Sequence, residues 1–159
     1  MWTGRSTKGL LQTSRKENHV SNDPLDLLGP LMSEIGQVLA EIAGGNPEGV
    51  FLYAEVGKGW VGPSIFKDEG DVVRYLNSDS DLTDLLFDAW YTAPEDKRWS
   101  VMEYDIKDGK FSVAFKYPEE VDVEKSFDGA RRDAVLHARY GDKPVVYPPP
   151  PEGMYELKP

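Results

Sequence analysis

The chain of 159 residues contains no cysteine and only two histidines, His19 and His137. The first absence excludes disulfides, thiolate metal sites and a cysteine nucleophile together, and it fits a reducing compartment. The second leaves too few imidazoles for a multi-histidine metal centre. No apolar run approaches the ~20 residues that cross a bilayer as a helix. The N-terminus is basic and polar, with only Leu10-Leu11 as an apolar pair, so no secretory signal is expected there. Basic side chains are in deficit, 18 against 28 acidic ones, for a net charge of −10. A binder of phosphate backbones needs clustered cations, so direct nucleic-acid binding is not expected. Walker-type phosphate loops, G-x-S-x-G elbows, H-E-x-x-H pairs and EF-hand loops are all missing.

What remains is a globular composition, with 40% hydrophobic and 29% charged residues. The charge is unevenly spread. Residues 1–22 carry Arg5, Lys8, Arg15 and Lys16 against Glu17, a net of +3, which leaves −13 on the rest. This segment lacks apolar periodicity and reads as a poorly ordered basic arm. At the other end, Pro148-Pro149-Pro150-Pro151 dictates extended polyproline II. The organisation expected is an arm over 1–22, one α+β domain over 23–144 and a proline-rich tail over 145–159.

Asp23-Pro24 reads as a helix cap with a first-turn proline. Leu28, Leu31, Met32, Ile35, Val38, Leu39 and Ile42 then recur at helical spacing, with Gly29-Pro30 expected to kink or delay the helix. Residues 50–56 read as a buried strand, and 60–66 as its return after Gly57-Lys58-Gly59. Pro63 argues for an edge position or a bulge there. Residues 71–76 read as a third strand. Ser80 is expected to cap a helix running to about Tyr91, with Leu82, Leu85, Leu86, Ala89 and Trp90 on one face. Residues 99–105 and 111–117 form strands joined at Asp108-Gly109, a dipeptide suited to a type I′ turn. A last helix is expected over 126–139. This order gives an α+β fold: an antiparallel sheet of about four to five strands packed by an N-terminal, a middle and a C-terminal helix.

Gly57-Lys58-Gly59-Trp60-Val61-Gly62 matches G-x-G-x-x-G by letter. Strand-like residues follow it where a helix must start to hold a pyrophosphate, so it reads as a hairpin turn. His137 has no evident nucleophile partner and reads as a surface or half-buried helix residue. Glu103 and Asp105 share one strand face, and Glu55 on another strand is expected near them. One alternative reading is therefore a small acid–base enzyme using Glu55, Glu103 and Asp105. A second is a homo-oligomeric scaffold pairing through the edge near Pro63.

Carboxylates dominate the centre of the chain. Eleven lie between Asp68 and Asp105, opposed only by Arg74, Lys97 and Arg98. Asp81, Asp84 and Asp88 stand at i, i+3 and i+7, a stripe opposite the Leu/Trp face of the middle helix. Such a stripe suits a docking surface for a basic protein, with Trp60, Tyr75, Tyr91 and Trp99 as candidate apolar anchors.

The N-terminal helix followed by Leu52-Tyr53-Ala54-Glu55-Val56, the acidic helix ending in Trp90, and Asp108-Gly109-Lys110-Phe111 with Phe115 and Tyr117 resemble the bacterial YezG-type immunity proteins, the antitoxins of secreted polymorphic toxins. The likeness covers roughly residues 25–140; the two ends depart from it. It implies a non-enzymatic cytoplasmic protein; a monomer is favoured over an oligomer, and no cofactor, metal or membrane contact is expected. Such a protein binds and occludes a cognate basic toxin, often a nuclease. The contact residues expected on this chain are Asp81, Asp84, Asp88, Tyr91, Trp99, Glu103 and Asp105.

Overall fold

The computed structural model describes residues 24–121 and 129–149. The basic arm, the tail beyond residue 149 and residues 126–128 of the expected last helix lie outside them. The elements are α1 (Pro24–Ile42), β1 (Val50–Gly57), β2 (Trp60–Asp68), β3 (Val73–Leu76), α2 (Ser80–Thr92), β4 (Val101–Lys107), β5 (Lys110–Lys116), α3 (Ala130–Tyr140) and β6 (Val145–Val146). They form one sheet in the order β5-β4-β1-β2-β3-β6. All neighbours are antiparallel except β3 and β6.

The fold is α+β as expected, but the sheet is mixed and has six strands. The sixth is Val145–Val146, inside the stretch read as tail. Two residues carry no periodicity, and only the hydrogen bond from Val73 N to Pro144 O, at 2.9 Å, and the pairing with β3 define them as a strand.

Strand alternation sorts the core into two layers. Val50, Leu52, Ala54 and Val56 meet α1 and α2 through Met32, Ile35, Leu39, Leu82 and Leu86. Phe51 and Tyr53 turn the other way and meet α3 through Leu136, Val135 and Tyr140. β1 is thus covered on both faces, which is why it reads as a continuous apolar run. α1 holds Pro30 within it rather than starting after it. Asp79, one residue ahead of the expected cap, starts α2: its side chain accepts from Leu82 N at 2.9 Å.

Pro63 sits in an interior strand, yet costs no ladder bond. β3 pairs only with residues 65–68 of β2, so beside Pro63 that side is open. The bond from Asp68 N to Gly49 O fixes the alternation of the β1–β2 ladder and turns the Pro63 nitrogen toward the open side. Asp108 and Gly109 both have positive φ, 56° and 75°, as a type I′ hairpin requires.

Two phenols are buried, one tying the sheet to α1 and one holding a carboxylate of its own strand. Tyr104 donates to Met32 O at 2.6 Å and Tyr53 to Glu55 Oε2 at 2.8 Å. Burial raises both above the ordinary value of 10.0. A raised folded-state value keeps its stabilisation whole below the unfolded value and loses it as pH climbs toward the folded one. Melting temperature should therefore fall steeply only above about pH 10. Tyr104→Phe should flatten that fall, a result checked by thermal melts between pH 8 and 12.

Candidate functional site

α2 presents Leu82, Leu86, Ala89 and Trp90 to the core. On the opposite face the 100° step per residue lines up Asp81, Asp84, Asp88 and Tyr91. All four are exposed, Tyr91 by 49%. Among the described residues no ion pair reaches the three aspartates. Asp81 lies in the first turn, where the helix dipole favours it. Asp88 gains nothing from the dipole, and its i, i+4 spacing from Asp84 costs about 0.2–0.5 kcal/mol.

Arg98 closes the C-terminal end of this helix. Its Nε donates to Trp90 O and Ala93 O, both at 3.2 Å, and Nη2 to Tyr91 O at 3.5 Å. These bonds add to the Ala93 N bond already on Trp90 O and serve the Tyr91 and Ala93 carbonyls at the end of the helix. The guanidinium also lies 4.7 Å from the Trp90 ring and 4.9 Å from the Tyr91 ring, so it fixes the exposed phenol against the buried indole.

Three expected contact residues are elsewhere. Trp99 is only 3% exposed: it packs on Phe115 at 5.1 Å, and its carbonyl accepts from Trp90 Nε1 at 2.8 Å. It belongs to the core, because the segment that leads into β4 is folded under α2. Glu103 and Asp105 lie on the opposite face of the sheet from α2, since they pair in register with Tyr53 and Phe51. Asp105 is ion-paired with Arg139 of α3. Of the other aromatics named as anchors, Trp60 and Tyr75 are half-buried, and Tyr75 contacts Phe66 at 5.4 Å and Tyr147 at 5.1 Å.

The α3 side holds a polar cluster that sequence reasoning assigned differently. Glu55, 7% exposed, meets Arg131 at 3.1 Å and accepts the Tyr53 hydroxyl. Arg132 Nη1 donates to Ser64 Oγ at 3.3 Å. Two concavities of about 500 and 560 Å³ flank Tyr53, one beside Glu103, Lys116 and Arg131, the other beside Glu55, Ser64 and Arg132. The three carboxylates of the acid–base alternative do share this sheet face. Each engages a different neighbourhood: Glu55 with Tyr53 and Arg131, Asp105 with Arg139, Glu103 across Tyr53. His137 is exposed on α3. Among the described residues no cluster of three His, Asp or Glu side chains is placed to hold a metal ion, and no helix is long and apolar enough to cross a membrane.

A further groove, about 450 Å³, lies between the β1–β2 turn and the end of α2; Lys58, Trp60, Glu95, Arg98, Trp99 and Ser100 line it. Its wall depends on Gly57. A Cβ there would sit 2.4 Å from Trp60 Nε1 and 2.7 Å from Cε2, so the indole rests directly on the glycine backbone. Gly57→Ala is expected to push the indole off this seat. The change should appear as a shift in Trp60 emission, read as the difference from a Trp60→Phe background.

No protein-family model matches the chain, and no curated protein matches it either.

Proposed function

We propose that this chain is an immunity protein, an antitoxin that binds a cognate basic toxin and covers its working surface. The outward face of α2 makes the contact. The observation that carries this reading is the alignment of Asp81, Asp84, Asp88 and the 49%-exposed Tyr91 on one helix face. Only Asp81 of this stripe helps its own helix; Asp84 and Asp88 repel each other. The stripe as a whole raises the encounter rate with a cationic surface and disfavours acidic partners. The aromatic at its end supplies the desolvated centre that charged rims lack.

The net charge of −10 extends the same field over the molecule. A nuclease must hold a positive groove for phosphate, and an acidic protein surface competes for that groove. The likeness to YezG-type immunity proteins, drawn from the Leu-Tyr-Ala-Glu-Val strand and the Asp-Gly-Lys-Phe hairpin, adds a bacterial, cytoplasmic, monomeric and non-catalytic role. Trp99 drops out of the contact set because it lies in the core, and Glu103 and Asp105 because they lie on the sheet face opposite α2. The direct experiment is co-purification with the product of the gene immediately upstream. The expected result is a stable complex whose association slows as salt rises from 50 to 500 mM. No binding, or association indifferent to salt, would overturn the proposal.

A further inference from the structure

We infer that the docking face does not stay acidic to its end, and that the partner it fits is a basic protein surface edged by one carboxylate side chain. This rests on the reading of α2 as a docking face. The groove beyond Tyr91 is lined by Lys58 and Arg98, with Glu95 as its one carboxylate among the described residues. It is a local reversal of sign beside Asp81, Asp84 and Asp88. It is continuous with the stripe, because Tyr91 follows Asp88 by three residues on the same helix face and its ring lies 4.9 Å from the Arg98 guanidinium.

Arg98 is prepared for such a role. Its Nε and Nη2 are held by the carbonyls of Trp90, Ala93 and Tyr91, and its Nη1 has no partner among the described residues. A guanidinium already fixed in place loses little further freedom when it meets a carboxylate. Val56, Trp60, Trp90 and Trp99 also line the groove, and an apolar wall strengthens a charge pair formed beside it. Lys58, at the exposed tip of the β1–β2 turn, supplies the second positive charge. A partner that is basic throughout would meet repulsion here, so the groove also fixes the orientation of the complex.

The test uses the full chain, titrated at low ionic strength with three synthetic peptides. The first is four lysines followed by Gly-Gly-Glu, the second ends in Gln instead, and the third is Gly-Gly-Glu without lysines, each amidated at its C-terminus so that the Glu side chain is its one carboxylate. The Glu-ended basic peptide should bind about three- to fivefold more tightly than its Gln counterpart. Lys58→Glu should erase or reverse that preference, although it makes the protein more acidic; Asp84→Lys with Asp88→Lys should weaken both basic peptides and keep it. A Lys58→Glu variant that keeps the parental preference for the Glu-ended peptide would overturn the inference. Equal binding of the two basic peptides would also overturn it, while leaving the α2 reading in place. Lysine-free peptide binding as well as the first would make the groove an independent carboxylate site and overturn the assigned partner. Failure of every peptide to bind would overturn the inference and the docking reading together. Melting temperatures of the variants, expected to match the parent's, show that each is folded.

Discussion

Replacing Asp84 and Asp88 together by lysine is expected to slow association with the toxin about 100-fold while leaving the protein folded. Steering by a charged face changes encounter rates by 10- to 1,000-fold, and this substitution reverses two of three charges on the stripe. The dissociation rate should move much less, because solvent-exposed ion pairs contribute little once a complex has formed. Tyr91→Ala should show the opposite split: an unchanged association rate and dissociation about tenfold faster, as for a desolvated aromatic at an interface centre. Stopped-flow kinetics at two salt concentrations separate these effects. Neither substitution touches the core. The double lysine variant exchanges one like-charge pair at i, i+4 for another within α2, so its melting temperature should stay near the parent's. If association were unchanged at low salt, the acidic face would be no more than a solubilising surface.

The α2 face was legible because helical periodicity is a local property. Once Leu82, Leu86 and Ala89 mark the inward side, the 100° step places Asp81, Asp84, Asp88 and Tyr91 outward. The hairpin at Asp108-Gly109 was legible for the same reason: its positive φ angles are a demand on two adjacent residues. Trp99 was misplaced because its fate depends on a contact nine residues away, the bond from the Trp90 indole to its carbonyl. Nothing in the residues around Trp99 distinguishes an anchor from a core tryptophan.

The separation of Glu103 and Asp105 from α2 is a topological fact. Alternation showed correctly that the two share a face, but not which helix covers it. The two-residue β6 escaped for another reason, since its strand character comes only from the partner beside it. Glu55 carried a signal that was read too narrowly. A glutamate within Phe51-Leu52-Tyr53-Ala54-Glu55-Val56, a strand apolar on both faces, must find a cation when buried. Arg131-Arg132, in the first turn of the last helix, was the available source.

That buried pair gives the largest stability effect expected in this protein. Arg131→Met is expected to cost about 3 kcal/mol, because it leaves the Glu55 carboxylate 7% exposed with the Tyr53 hydroxyl in place of a full counter-charge. Glu55→Gln should cost a similar amount by stranding the Arg131 cation, whose side chain is only 14% exposed. The double variant should recover most of the loss, since no buried charge then lacks its opposite, and urea denaturation of the four proteins closes the cycle. A control is the Glu69–Arg74 pair, whose side chains are 34% and 43% exposed; Arg74→Met should leave the urea midpoint where it was. Single losses near zero at Glu55 and Arg131 would mean that water reaches the pair and that α3 covers the sheet only loosely. The cycle also bears on the docking face. α3 and α2 lie on opposite faces of one sheet, so an Arg131→Met protein that is still folded should bind the toxin at the parental association rate. A slowed rate would instead move the contact surface to the α3 side, where Glu103 and Asp105 lie.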